Sequence, residues 1–362
     1  MSGSAKVYMQ KLLILPLTLL SFAGFSQPTD STSSFSIGGF ADVFYQYDLN
    51  QPAGNARPGF LYNHNRHNEV NVNLAYIKGA YTARKVRANL ALMVGTYADD
   101  NLAAETNVAQ HIYEANIGIR LGKRTWVDAG IMPSHIGFEG AQSAICRTLT
   151  RSLLAENSPY FETGVKLSYQ PTEALTLAAL YLNGFQRIAR PINNSFPAFG
   201  TQITWKPRSN VVLNYSTFFG SDKPDDARRL RHYQNLYGIF TFDAVEITAG
   251  FDFAGEQARA DSSQWEMLFS PIIIARYQFA PRCAVAARAE YYDDQSGIII
   301  GTGTPNGFQT LGLSLNFDYK INDHALWRIE GRFLSSEDEI FVTDNSLSKT
   351  RPFMTTSLAV LF

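Results

Sequence analysis

Residues Arg351–Phe362 read RPFMTTSLAVLF, and they alternate: Met354, Thr356, Leu358, Val360 and Phe362 fall on one face. Successive side chains of a β-strand point to opposite faces, so this segment presents one nearly complete apolar row. Such a row needs lipid or a protein core beside it, and the rest of the chain decides between them.

The opposite end carries another kind of segment. Met9-Gln10-Lys11 precedes an apolar run from Leu12 to Phe25, and Gly24-Phe25-Ser26 precedes Gln27. A charged start, a short apolar centre and a small-residue exit predict a secretory signal peptide over 1–26, with Met9 as the start and residues 1–8 as an extension. A membrane anchor fits less well, because the run is shorter than roughly 18 residues and Pro16 interrupts it. The domain to be folded is then 27–362. It is rich in aromatics and glycine: the chain has 25 Phe, 18 Tyr, 4 Trp and 26 Gly. A net charge of −1 gives no polybasic surface for nucleic acid. Cys146 and Cys283 fall at opposite ends of the strand map, so they are expected to stay unpaired.

Alternation recurs along the whole domain. The apolar rows begin with Phe35–Tyr47, then Val70, Val72, Leu74 and Tyr76, then Val86–Val94. Tyr113, Ala115, Ile117, Ile119 and Leu121 form the fourth. Further rows start at Val127, Val165, Leu175, Phe199 and Val211. A tenth segment, His232–Phe242, has no clear phase. The last six start at Val245, Phe269 (with Pro271 intruding), Val285, Leu311, Ala325 and the terminal stretch. Connections alternate in length. Short ones lie at 82–85, 122–124, 171–174, 207–210, 243–244, 280–282 and 321–323. Long ones lie at 48–68, 98–110, 133–160, 184–195, 220–231, 255–263, 295–307 and 335–350.

Sixteen strands, seven turns and eight loops predict an all-β fold: a closed antiparallel transmembrane barrel with short turns at one end and long loops at the other. A soluble sandwich would not alternate loop length so strictly. The opposite faces are polar or small and carry Glu114, Arg120, Asp128, Lys166, Arg288, Glu290, Arg328, Glu330 and Arg332. A charge at the lipid midplane costs roughly 2–4 kcal/mol, so these residues are predicted to line the lumen. A barrel of this size leaves an aqueous channel.

The longest loop, 133–160, is the third on the long-loop side. Residues Ala141–Glu156 are predicted to form a short helix with Arg147 and Arg151 one turn apart on one face. Facing Glu114, Asp128 or Glu162, they would narrow the lumen with a transverse field; a solvated loop helix is the simpler alternative.

The order of FSIGGFADVFYQYD (35–48), VNLAYIKGAY (72–81), VDAGIMPSHIGFEG (127–140), NSPYFETGVKLSYQ (157–170) and YLNGFQ (181–186) resembles the OmpL-like putative β-barrel porins, the porin-2 group of Bacteroidetes and relatives. The resemblance implies an outer-membrane location and passive diffusion of small polar solutes. It implies that the third loop enters the lumen, and that the barrel assembly machinery reads the terminal Phe362 as a signal. A homotrimer in outer-membrane lipid is expected by analogy. It implies no cofactor and no catalytic site.

His64 and His67, with Glu69, could hold a metal at the rim, but the spacing is not that of a zinc hydrolase, and a solvated loop fits better. No G-x-S-x-G occurs, so a barrel hydrolase is disfavoured. A surface adhesion barrel or a substrate-specific channel remains open. Phe40, Phe44, Trp126 and Tyr233 facing inward would be too few for a sugar ladder.

Overall fold

The computed structural model describes residues 33–362 apart from 56–57 and 107; the predicted signal peptide and Met9 lie outside the described residues. The strands are β1 (Ser34–Asp48), β2 (Val70–Thr82), β3 (Val86–Val94), β4 (Ile112–Gly122), β5 (Thr125–Pro133) and β6 (Phe161–Tyr169). Next come β7 (Leu175–Leu182), β8 (Ala198–Arg208), β9 (Val211–Gly220), β10 (Arg231–Phe242) and β11 (Val245–Gln257). The last are β12 (Trp265–Ala280), β13 (Cys283–Asp294), β14 (Phe308–Lys320), β15 (Ala325–Ser336) and a terminal strand, Thr350–Leu361. Each pairs antiparallel with its sequence neighbours, and the terminal strand closes the barrel against β1. All sixteen predicted strands are present.

Closure is finished by the last residue. Gly39 N donates to Phe362 O at 2.7 Å, and Phe362 N donates to Gly39 O at 3.1 Å. The Phe362 ring lies over Gly39, where an added Cβ would meet it at 2.4 Å. Only glycine admits the ring there.

The outward rows carry aromatics in two belts, as expected where a barrel meets two lipid headgroup layers. Phe35, Tyr169, Trp205, Phe242, Tyr277, Tyr319 and Trp327 lie toward the short turns. Tyr181, Phe199, Phe219, Trp265 and Phe269 lie toward the long loops.

The phase of two rows differs from the sequence expectation. Pairing of β1 with β2 slips at Asp42/Val43, which leaves Asn73 as an extra residue. A bulge reverses the alternation beyond it. Leu74 is therefore buried inside the barrel, Tyr76 turns inward, and Ile77 faces out. A second slip, at Ala91/Leu92, puts Tyr113 in a bulge. Tyr113 stacks on Tyr76 inside the barrel, with centroids 4.7 Å apart. The segment of unclear phase resolves with Arg231, Tyr233 and Asn235 inward and Leu236 outward.

Pro271 sits on β12 without breaking it. Residues 269 and 293 pair, as do 272 and 290, so Pro271 stands opposite Tyr291 with no N–H to give. The Ser270 hydroxyl supplies the missing donor to the Tyr291 carbonyl at 2.9 Å.

The lumen has two zones, where a uniformly polar or small lining was expected. Near the long loops the inward side chains are apolar: Leu182, Phe218, Tyr233, Leu268, Tyr292, Phe308, Leu334 and Phe353 pack with Phe60 and Leu61 of the first loop and with Ile136 and Leu153 of the third. Near the short turns they are charged. A helix α1 (Thr96–Asn101) adds Tyr97 to a second cluster against β2 and β3.

The seam generates a prediction. Deleting Phe362, or replacing Gly39 with Val to displace its ring, should lower the amount of folded, heat-modifiable protein in the membrane. Wild-type amounts of the compact form on an unheated gel would show that the seam closes without this pair.

Candidate functional site: a loop clasped across the lumen

The loop 133–160 leaves β5 and enters the barrel. His135 anchors its first turn. Its Nδ1 lies 2.7 Å from Glu162 of β6 and its Nε2 lies 2.8 Å from the Thr217 carbonyl of β9. The His135 carbonyl accepts from Gln202 and Ser216. Gly137 N donates to Asn235 of β10, and Phe138 packs edge-on against Tyr237.

The chain then crosses to β13–β15. In a ring of sixteen strands these lie opposite β5 and β6. Contact there is made mainly to the loop backbone. Leu149 N donates to Asn316, Thr150 N to Glu330 at 2.6 Å, and Leu153 N to Glu290 at 2.6 Å. Arg328 donates to the carbonyls of Ser143, Cys146 and Thr148. Arg288 donates to the Thr150 carbonyl, and Arg332 to that of Arg151. The same groups pair with one another: Arg288 with Glu330 at 2.9 Å, Arg332 with Glu290 at 2.6 Å, Arg328 with Asp318 at 2.7 Å. All are buried. Removing one partner from such a pair typically costs about 3–5 kcal/mol, because a charge is left unpaired out of water.

This placement changes the reading of several residues. Arg288, Glu290, Arg328, Glu330 and Arg332 face inward, but they lie beneath the loop rather than along open water. Glu162 is buried with His135. The helix expected over Ala141–Glu156 does not form. The loop holds one 3-10 turn, Ser143–Ile145, and a short helix α2 (Leu153–Glu156) capped by Ser152. The reason is competition for backbone groups: carbonyls a helix would use are taken by wall arginines and by Arg151. Arg151 donates to the carbonyls of Gly140, Ala141 and Leu149 and is fully buried, so it does not share a face with Arg147. Arg147 pairs with Glu246 and remains partly exposed.

Glu114 and Asp128 do not oppose these arginines either. Glu114 accepts from Lys78 at 2.5 Å, and Asp128 is gripped by Arg87 through two nitrogens. Lys166 stands opposite Asp128 in register. Arg120 donates to the carbonyls of Gly122 and Lys123. Phe40, Phe44 and Tyr233 are buried inside the barrel. Trp126 lies beneath the Arg87 guanidinium. His64 bonds Asp42 at 3.0 Å, and His67 accepts from Asp48 N.

Space remains around the loop. A cavity of about 370 Å³ on the short-turn side is bordered by Arg147, Glu246, Arg276 and Asp318. Cys146 and Cys283 both border it as free thiols; they share one end because the loop descends so far. One of about 490 Å³ on the long-loop side is bordered by Asp100, Glu156, Arg187, Asp222 and Arg231. A third, about 260 Å³, lies between the loop and β2–β4 and is lined by Tyr76, Lys78, Tyr97, Tyr113, Gln142 and Tyr160. Its tyrosines were missed in the sequence because two of them depend on the bulges.

The family described as "Putative beta-barrel porin-2, OmpL-like" matches residues 34–362. No curated relative matches the chain. Among solved structures, the anion-selective porin from Comamonas acidovorans shares 10% identity over 91% of this chain and 100% of that chain, with a TM-score of 0.62. The trimer form of OmpT from Vibrio cholerae shares 10% over 91% and 100%, with a TM-score of 0.61. The outer membrane channel DcaP of Acinetobacter baumannii shares 11% over 92% and 99%, with a TM-score of 0.60. At these identities the likeness is one of fold.

His135 makes the loop's anchor pH-dependent. Burial disfavours its imidazolium, but Glu162 and the Thr217 carbonyl outweigh burial and the opposing Lys166, so its pKa lies above the ordinary histidine value. A raised folded-state pKa contributes stability fully below the ordinary value and loses it as pH rises through the raised one. Single-channel current noise should therefore grow as pH rises through that range, and His135→Gln should flatten the dependence. Noise independent of pH in the native protein would remove His135 from this role.

Proposed function

Because this chain belongs to the OmpL-like β-barrel porin-2 family, a family of outer-membrane pores, we propose that the loop 133–160 sets the size of solute that diffuses through it. The observation that carries this reading is the loop's position across the lumen, with chambers of about 370, 490 and 260 Å³ left at its margins. Passage is then passive and confined to small polar solutes and ions. In this reading Arg147, Glu114, Arg120, Asp128 and Lys166 border the path. Arg151, Glu162, Arg288, Glu290, Arg328, Glu330 and Arg332 hold the loop. Phe362 serves assembly, and residues 1–26 direct export. No catalytic chemistry is assigned to any of them.

We also propose a homotrimer, as in the trimer form described for OmpT. The outward rows of β3, β4 and β5 carry Val86, Ala88, Leu90, Leu92, Ala115, Ile117, Val127 and Ala129, and no aromatic interrupts them. The aromatic belts are therefore broken on this side. A shallow apolar groove of about 1050 Å³ runs alongside, floored by Ala41, Ala75, Gly79, Ala88 and Ala115 and edged by Phe35, Tyr81 and Phe362. Small side chains let a second barrel wall approach, and a closed ring of copies would keep that face from lipid headgroups.

Two experiments follow. In planar bilayers the purified barrel should give a steady ohmic conductance, and Arg147→Ala should raise it; silence of the folded protein would end the diffusion reading. In mild detergent, Ala88→Trp should convert trimers to monomers by light scattering, and an unchanged mass would place the interface elsewhere.

A further inference from the structure

We propose that the channel prefers small anions, and that the preference is set by a collar of cations on the barrel wall beneath the loop. This rests on the diffusion reading above and adds the class of solute.

The collar follows from which partner of each ion pair meets water. For Lys78 and Glu114 the side-chain exposures are 34% and 7%; for Arg87 and Asp128, 35% and 7%; for Arg276 and Asp318, 30% and 6%. In all three the cation is the exposed member. The cause is side-chain length. A carboxylate sits close to the wall, while a lysine or arginine stem reaches over it and presents its charged head to solvent. A permeating ion therefore meets the positive end of each pair first.

The pairs are also unequal in number. Asp318 already pairs with the buried Arg328 at 2.7 Å, so Arg276 at 3.6 Å is a second guanidinium on one carboxylate. Asp128, which faces Lys166 across the β5–β6 ladder, is occupied on both oxygens by Arg87. Arg120 is held by carbonyls, which carry no net charge to cancel it. Among the described residues, neither Lys166 nor Arg120 has a carboxylate within ion-pair distance. Five cations on this wall (Lys78, Arg87, Arg120, Lys166 and Arg276) thus meet three carboxylates. Trp126 fixes part of the collar: the Arg87 and Arg120 guanidiniums lie 4.4 and 5.9 Å from its ring centroid. A cation over an aromatic face is attracted by the ring quadrupole and keeps its charge.

The collar is independent of the loop arginines. Arg151 is buried, and Arg147 is matched by a carboxylate of similar exposure, 26% against 21%. The cations lie on β2, β3, β4 and β6 on one side and on β12 on the other, all toward the short turns. Walls of one sign around a low-dielectric channel concentrate the opposite ion.

The test uses the mature barrel in planar bilayers of neutral phosphatidylcholine under a potassium chloride gradient. At about 0.1 M salt, where the screening length is ~10 Å, the reversal potential should have the sign of chloride preference. The chloride-to-potassium permeability ratio should be roughly threefold or more, a modest case of the ion concentration such clefts produce. It should fall toward unity at about 1 M, where screening shortens to ~3 Å. Lys166→Glu with Arg120→Glu should reverse the preference, Asp128→Asn should strengthen it, and Arg147→Ala, which leaves Glu246 without its partner, should weaken it. A native channel that conducts with a ratio at or below unity at low salt overturns the anion preference alone and leaves the diffusion reading standing. A folded protein that does not conduct overturns both. Should the variants fail to insert, as judged by heat-modifiable mobility, the salt dependence of the native ratio decides.

Discussion

The absence of water in hydrocarbon governs this molecule. A backbone N–H or carbonyl facing lipid has no solvent to bond, so a sheet can cross only if it has no edge. The exchange between Gly39 and Phe362 removes the last one. Local exceptions obey the same constraint: where Pro271 withholds a donor, Ser270 provides one. Once the ladder is closed, the two faces of every strand are committed to opposite surroundings. The aromatic belts and the charged inner wall are both results of that commitment.

The inner wall then meets a second demand. Charged groups facing the lumen can be hydrated or paired, and this barrel uses both. Toward the short turns they border water. At mid-height Arg288, Arg328 and Arg332 are out of water and are satisfied by carboxylates and loop carbonyls together. Their burial is tolerable because each charge has several partners. Above them an apolar core seals the loops to the wall. Chemistry thus changes along the barrel axis as well as across its wall.

Much of this was legible in the residues. Period-two rows and alternating connections are local signals, and they identified every strand and the sense of nearly every face. What failed were features created by pairing. The extra residues at Asn73 and Tyr113 are bulges only relative to a neighbouring strand, so Leu74 and Tyr76 were assigned to lipid. The tenth segment was unclear because Tyr233 and Tyr237 are inward aromatics, and a core lies where water was assumed. The loop helix failed for the same reason. The spacing of Arg147 and Arg151 is compatible with a helical turn, but wall arginines from β13 and β15 compete for its carbonyls. No sequence window contains both parties.

The wall grips the third loop chiefly by its main chain. Arg288, Arg328 and Arg332 reach carbonyls, and Glu290 and Glu330 reach N–H groups, of residues 143–153. Every amino acid offers a carbonyl, and all but proline an N–H. The main-chain bonds are thus indifferent to residue type, but the side chains of 148–160 are all buried against the wall and are not. Freedom to vary is left to positions that stay partly open, such as Gln142, Ile145 and Arg147, and changes there alter what the chambers admit while the seat of the loop is kept. A lineage built on such a barrel can diversify its diet by editing one short segment, with no redesign of the vessel that holds it.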